Sequence, residues 1–243
     1  MLYAVISDVH GNRWALEAVL RDIRARRADL TMNLGDSVYG PLLPHETTEI
    51  LRDSCTIHIL GNQDRMLLET PPHPRSPTFE HCLNALTTED LHWLRSSHIP
   101  SIILDELLLF HGTHQSDSEY LLEDVSLGWP VLHSKERILQ GIGGSSARAI
   151  LCGHSHVPRC VRVDSRYAIN PGSVGLQAFD DEHPTPHRME TGSPDARYGL
   201  IRVEASRIQV ENVVIPYDFQ DAVQLARKNG RDDWAHWLEF GRA

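Results

Sequence analysis

Five short apolar runs in this chain each stop at a turn that carries metal-ligand side chains, and this recurrence restricts the possible folds more than any other feature. The turns are Asp8-Val9-His10, Gly35-Asp36, Gly61-Asn62-Gln63-Asp64, His111-Gly112 and Gly153-His154-Ser155-His156. The runs before them (Leu2 to Ser7, Leu30 to Leu34, Thr56 to Leu60, Leu107 to Phe110, Ala149 to Cys152) are β-leaning and too short for helices. Between the first three lie helical patterns. Leu16, Val19, Leu20 and Ile23 fall at helical spacing behind a capping Asn12, with Arg24, Arg26 and Arg27 where cations suit the helix C-terminus. Segments His45 to Arg52 and Glu89 to Arg95 also read as helices, the latter capped by Thr87 or Thr88. Strands alternating with helices define an α/β layered fold, whose ligands bind at the carboxyl ends of the strands.

Further along, Arg159 to Val163, Tyr167 to Ile169, Arg197 to Val203 and Ile208 to Ile215 read as strands with few helices between them, which predicts a mostly antiparallel sheet completing a sandwich. Helices over Phe219 to Arg227 and Asp232 to Leu238 close the chain, with Trp234, Trp237, Leu238 and Phe240 packing the last one down. The stretch Phe179 to Ala196 is rich in Pro, His, Asp and Gly and reads as a surface loop or lid, with His183 and His187 solvated. A single domain over 1–243 is expected.

Taken one at a time, Gly-Asp, Gly-Asn and Asp-x-His are turn dipeptides or helix caps. Their ordered recurrence at strand ends argues for one site. Asp8, His10, Asp36, Asn62, His111, His154 and His156 supply carboxylate, amide and imidazole ligands. That mixed nitrogen and oxygen set suits Mn, Fe, Zn or Ni and lacks the thiolates of a structural zinc site. Seven ligands exceed the needs of one ion, so two divalent metal ions sharing a bridging carboxylate, with Asp36 as the bridge, is the economical arrangement. The adjacent glycines Gly11, Gly35, Gly61, Gly112 and Gly153 are expected to turn sharply through positive φ.

These motifs, in this order and over nearly the whole length, resemble the calcineurin-like metallophosphoesterases. Asn170-Pro171-Gly172-Ser173-Val174-Gly175, Tyr39-Gly40-Pro41 and Tyr217-Asp218 look like the small prokaryotic phosphodiesterase branch. The resemblance implies a four-layer αββα sandwich with two mixed β-sheets flanked by helices. It implies Asp8, His10, Asp36 and His156 around a first metal and Asp36, Asn62, His111 and His154 around a second. It also implies a phosphoesterase that hydrolyses phosphodiester or phosphomonoester bonds by attack of a metal-bridging hydroxide. A non-catalytic metal-binding scaffold of the same fold, or a phosphatase acting on proteins or nucleotide polyphosphates, are the alternatives.

One position departs from the pattern. Gln63 stands where many members of the family carry a histidine that protonates the leaving oxygen, and an amide is no general acid near neutral pH. Asp64 is expected to orient a neighbouring ligand, and His114 is the candidate substitute acid. Asp36, Asn62, Asp64 and His114 are therefore the candidate catalytic residues. Aryl or nucleotide diesters should then react better than alkyl monoesters.

Composition adds limits. A formal charge of −10 argues against a non-specific grip on nucleic acid and leaves a small phosphorylated substrate, with nucleotides among the candidates. Cys55, Cys82, Cys152 and Cys160 show no CxxC spacing and read as reduced, mostly buried thiols. With no leader or apolar span, the expectation is a cytoplasmic monomer or small homo-oligomer without membrane contact. Substrate choice is expected to lie in Tyr39 to His45, the region between Arg65 and His81, and Phe179 to Ala196.

Overall fold

The computed structural model describes residues 1–69, 76–205 and 207–243. Part of the segment between Arg65 and His81 thus lies outside the described residues. The first half runs β1 (Leu2–Ile6), α1 (Arg13–Arg26), β2 (Leu30–Asn33), α2 (Pro44–Ser54), β3 (Ile57–Ile59), α3 (Asn62–Leu68), α4 (Pro77–Ala85), α5 (Thr88–Ser97) and β4 (His98–Ile99). There follow β5 (Ser101–Leu104), β6 (Leu107–Phe110), β7 (Glu123–Asp124), β8 (Val131–Leu132), α6 (Lys135–Ile142), β9 (Ala149–Leu151), β10 (Arg159–Val163) and β11 (Arg166–Asn170). The chain ends with β12 (Ala178–Asp181), β13 (His187–Glu190), β14 (Ala196–Glu204), β15 (Arg207–Ile215), α7 (Gln220–Lys228) and α8 (Asp232–Phe240).

Two mixed sheets result. One has the order β15-β14-β1-β2-β3-β4, the other β10-β11-β9-β6-β5. Strand alternation explains why they stack. In β1, Tyr3 and Val5 point between the sheets, where they meet Met32, Leu34, Leu107, Leu109, Ala149, Leu151 and Ile169. Ala4 and Ile6 point the other way and pack with Leu16, Val19 and Ile23 of α1. On the far side, Leu108, Phe110 and Ile150 turn outward against Ile138 and Ile142 of α6. Helices, sheet, sheet and helix give the four-layer αββα sandwich.

Side-chain caps start four of the eight described helices, α1, α4, α5 and α6. The Asn12 side chain accepts from Ala15 N–H, and Thr87 and Asp90 form a reciprocal capping box at α5. Helices α3, α4 and α6 had no counterpart in the sequence reading. The expectation of one antiparallel sheet from the second half also needs correction. Strands β14 and β15 extend the first sheet, while β10 and β11 complete the second, in which β11, β9 and β6 run parallel. Local pattern could not reveal this, because strand partners are chosen by long-range packing.

The 179–196 stretch is not an open loop. Within it, β12 and β13 pair antiparallel from Ala178↔Glu190 to Asp181↔His187. Phe179 and Met189 help supply the apolar face of this hairpin, against Tyr120 and Val125. His187 is accordingly buried and hydrogen-bonded to the Tyr120 hydroxyl at 3.0 Å, whereas His183 is exposed. Trp234, Trp237 and Leu238 are buried as expected, but Phe240 is 48% exposed. All four cysteines are free, with Cys82 and Cys152 buried and Cys160 exposed. No described helix is long and apolar enough to cross a membrane.

Candidate metal centre

The parallel direction of β1, β2 and β3, and of β6 and β9, brings the strand-end turns to one edge of the sandwich. The turns are stitched together there by backbone. Asp8 N–H donates to the Gly35 carbonyl at 2.9 Å, His10 N–H to Asp36 at 3.0 Å, and Gly153 N–H to His111 at 2.8 Å. Two groups of ligand atoms converge as a result: Asp8, His10 and His156, and Asp36, His111 and His154, each group within 4.8 Å. Asn62 joins the second group, its Oδ1 standing 3.1 Å from His111 Nε2. All seven predicted ligands are therefore in one place. The two groups also adjoin: His111 Nε2 of the second lies 4.0 Å from Asp8 Oδ1 of the first, and 3.4 Å from Asp36 Oδ2 in its own group.

The imidazoles are oriented by partners the sequence did not disclose. Nδ1 of His10 bonds the Tyr39 carbonyl at 2.9 Å, that of His111 the Leu34 carbonyl at 2.8 Å, and that of His156 the Leu176 carbonyl at 2.7 Å. A carbonyl accepts only, so Nδ1 must carry the proton and Nε2 is turned to the centre. His10 Nε2 and His156 Nε2 stand 3.1 Å apart in consequence. Two lone pairs at that distance call for a proton or a cation between or beside them. The donor set, the buried carboxylates and this carbonyl-fixed tautomer all fit metal ligation.

The electrostatics agree. Burial raises the cost of charge on Asp8 and Asp36, yet both carboxyls are held below their usual range by the surrounding imidazoles, His156 foremost for Asp8 and His111 for Asp36. Burial likewise opposes charge on His111, but Asp36 and Asp8 overcome it and raise the group to about 10. Burial, then a neighbouring imidazole, lowers His10 and His154 to about 4. The two buried carboxylates thus draw a positive charge onto His111 against the cost of burial, a role that a metal cation would fill in place of that proton.

Backbone strain is concentrated here. Asp8, His10, Asp36, His154 and His156 all have positive φ, from 50° to 68°. Such conformations cost on the order of 1–3 kcal/mol each and persist where the surroundings enforce them. The glycine expectation holds only in part. Gly11 and Gly35 have φ of 69° and 103°, but Gly61, Gly112 and Gly153 do not enter that region. They are needed for close approach instead: a β-carbon on Gly153 would lie 2.0 Å from Ser7 Oγ.

Asp64 is buried and accepts from Ser37 N–H (2.9 and 3.1 Å) and Val38 N–H (3.4 Å), so it fixes the turn that follows Asp36. Gln63 donates its backbone N–H to Asp36 Oδ1 at 2.9 Å, and its side chain lines the cavity over the ligands. His114 is not brought to that cavity. It is exposed, its N–H bonded to Gly141 O and its ring beside Gly143, and it faces a separate depression with Arg65 and Asp117. The Asn170 to Gly175 segment is a brace: Ser173 Oγ donates to Asp8 O, Gly175 N–H donates to Asp8 O, and Asn170 Nδ2 donates to Gly153 O and Ser155 Oγ.

Aromatic side chains enclose the centre. Tyr120 stacks on His154 with ring centroids 4.6 Å apart, Phe179 meets His156 edge-on at 4.6 Å, and Trp234 meets His10 edge-on at 5.7 Å. Neither Tyr120 nor the approach of Phe179 had a signal in the sequence. Phe179 is carried there by the hairpin, and Tyr120 by the segment before β7, against which the hairpin packs.

A buried paired cluster of histidines and carboxylates at parallel strand ends in an αββα sandwich describes a class of metal-dependent esterase folds. Residues 1–192 match the model of the calcineurin-like phosphoesterase superfamily domain, and the chain belongs to that superfamily. A crystal structure of a metallophosphoesterase from Sphaerobacter thermophilus is similar over 99% of both chains, with a TM-score of 0.78 and 26% identity. A hypothetical protein from Pyrococcus horikoshii, PH1004, shares the fold at a TM-score of 0.76 and 17% identity, over 99% of this chain and 98% of its own. The uncharacterized protein MJ0912 of Methanocaldococcus jannaschii is 26% identical over 96% of this chain and 95% of its own.

Proposed function

We propose that the protein hydrolyses phosphate esters with two divalent metal ions, one held by Asp8, His10, Asp36 and His156 and the other by Asp36, Asn62, His111 and His154. The observation that carries this reading is the pair of ligand groups side by side, with His111 Nε2 of the second group 4.0 Å from Asp8 Oδ1 of the first and 3.4 Å from Asp36 Oδ2 in its own. When bound, such ions supply an acidified water and polarise the phosphoryl oxygens. The chain's own contribution is to fix the ligands. The carbonyls of Leu34, Tyr39 and Leu176 set the imidazole tautomers, and Asp64 holds the turn after Asp36. In hydrolysis a water oxygen bonds phosphorus, and the ester oxygen leaves with the bonding pair and then needs a proton. Gln63 cannot provide it, and His114 lies outside the cavity. Substrates whose leaving oxygen is stable as an anion are favoured accordingly.

Metal analysis of the purified protein, joined to assays of p-nitrophenyl phosphate and bis(p-nitrophenyl) phosphate with Mn²⁺, Ni²⁺, Zn²⁺ and Mg²⁺, tests the reading. About two equivalents of metal and metal-stimulated turnover are expected. Well-folded protein that binds no metal and turns over neither ester would overturn it.

A further inference from the structure

Two cavities open from the same ligands. The first, about 330 Å³, is lined by Tyr39, Phe179, Trp234 and Trp237 beside His10, Asp36 and Gln63. The second, about 550 Å³, lies under Tyr120, Val125, His133, Pro184 and Thr185. Asn62, His154 and Asp181 line both. The centre is therefore a saddle between two lobes rather than the floor of one pocket. A monoester has one substituent to place, and a diester has two.

Charge narrows the choice. The described cation of the first lobe is Arg231, whose guanidinium is tied to Asp233 at 2.7 Å and to Thr78. In the second lobe Arg137 is paired with Glu119 at 2.8 Å, and Glu123, Asp124 and Asp181 face the same space. No described Arg or Lys lining either lobe is unpaired, so neither is built for a further phosphate. The first lobe instead offers ring faces and edges to an aromatic group.

From these observations we infer that the substrate is a phosphodiester with a single phosphate at the Asn62 and His154 saddle, an aromatic leaving group in the tryptophan lobe and a second, uncharged substituent in the Tyr120 lobe. The inference rests on the hydrolase reading above and goes beyond it by choosing diester over monoester and over polyphosphate.

The test blocks each lobe from an exposed position. Asp180→Trp narrows the first, and Ser126→Trp narrows the second. With the metal-loaded protein, kcat/KM is measured for bis(p-nitrophenyl) phosphate and p-nitrophenyl phosphate, which share a leaving group. Asp180→Trp should lower both at least tenfold. Ser126→Trp should lower the diester-to-monoester ratio at least tenfold. A ratio within twofold of the parent in Ser126→Trp, or no effect of Asp180→Trp on either ester, would overturn the two-lobe assignment. Thr185→Trp blocks the second lobe from the hairpin side should Ser126→Trp not fold. Calorimetric titration provides a readout without turnover: diphenyl phosphate should bind the loaded protein at least tenfold tighter than phenyl phosphate, an advantage that Ser126→Trp removes. Equal affinities would sink the proposal. Absence of hydrolysis with that binding difference intact would remove the hydrolase reading alone.

Discussion

Gly61 and the Asp36 carboxylate are so close that a β-carbon on residue 61 would stand 2.2 Å from Asp36 Oδ1 and 2.2 Å from Asp36 N. No rotamer of residue 61 can relieve this, since the clash is with Cβ itself, so Asp36 would have to move. Gly61→Ala should cost about 1–3 kcal/mol of stability by overpacking. It should also weaken metal binding about 10- to 100-fold, the range seen when a ligand's support is disturbed. Gly144→Ala, where nothing lies within 4 Å, is the control and should change neither. Chemical denaturation and metal titration of both variants decide the matter; parent-like metal affinity in Gly61→Ala would show that Asp36 is not held by this contact.

Asp36 is the proposed bridge between the two metals, and Asp36→Asn keeps its size while removing the charge. Metal content should fall from about two equivalents to one or fewer, with activity reduced by at least about a hundredfold. Circular dichroism should stay unchanged. Retention of both metals would place the bridge elsewhere.

Gln63 sets the dependence on leaving group. For the natural chain, rates across a series of phenyl esters should fall steeply as the phenol becomes a weaker acid, because no proton is supplied from this position. Gln63→His places an imidazole at the same point of the cavity and should flatten the series, raising rates for the poorest leaving groups by about 10- to 100-fold. An unchanged slope would mean that residue 63 does not face the leaving oxygen.

Away from the site, the His58 and His98 rings lie tilted against each other and each meets Trp93 edge-on, with ring centroids 4.6 to 4.9 Å apart. Burial lowers His58 to about 4 and, joined by the like charge of His58, lowers His98 to about 3. The folded state thus refuses protons that the unfolded chain accepts below about 6.5. Their contribution is fully present above that pH and is lost as pH falls toward 4, at about 1.4 kcal/mol per pH unit for each histidine. His98→Leu should remove about 1.4 kcal/mol per pH unit from the fall in stability on the acid side, in urea denaturation at pH 7.5, 6.0 and 5.0. A variant as acid-sensitive as the parent would show that this pair does not govern the loss.

The site was legible in the sequence because its ligands sit in short motifs at the ends of recognisable strands, where parallel neighbours point them to one edge. Asp8, His10, Asp36, Asn62, His154 and His156 stood in short ordered motifs, while His111 rested mostly on the family resemblance and on its place after a strand. His114 was misplaced by the same logic. Three residues from a ligand is close in sequence, yet the turn carries His114 outward to the surface beside Gly143. The hairpin was missed because Pro184, Pro186 and the acidic residues 180–182 read as loop, while the apolar face that makes it fold consists of Phe179 and Met189 against distant Tyr120 and Val125.

What the sequence determined by itself was therefore which residue types stand at the strand ends, the layered α/β class and the strands that carry them, since these follow from local periodicity and residue type. The tertiary structure decided which sheet β10, β11, β14 and β15 join, which carbonyls fix the imidazoles, and that a hairpin and a tryptophan helix divide the space above the ligands into two lobes. The physical reason is range. Positive φ at Asp8, His10, Asp36, His154 and His156 is imposed by contacts between turns far apart in the chain, such as Gly175 N–H on Asp8 O and Gly61 against Asp36. Asp and His tolerate those conformations better than most side chains, but only the packed sandwich supplies the contacts that hold five of them together.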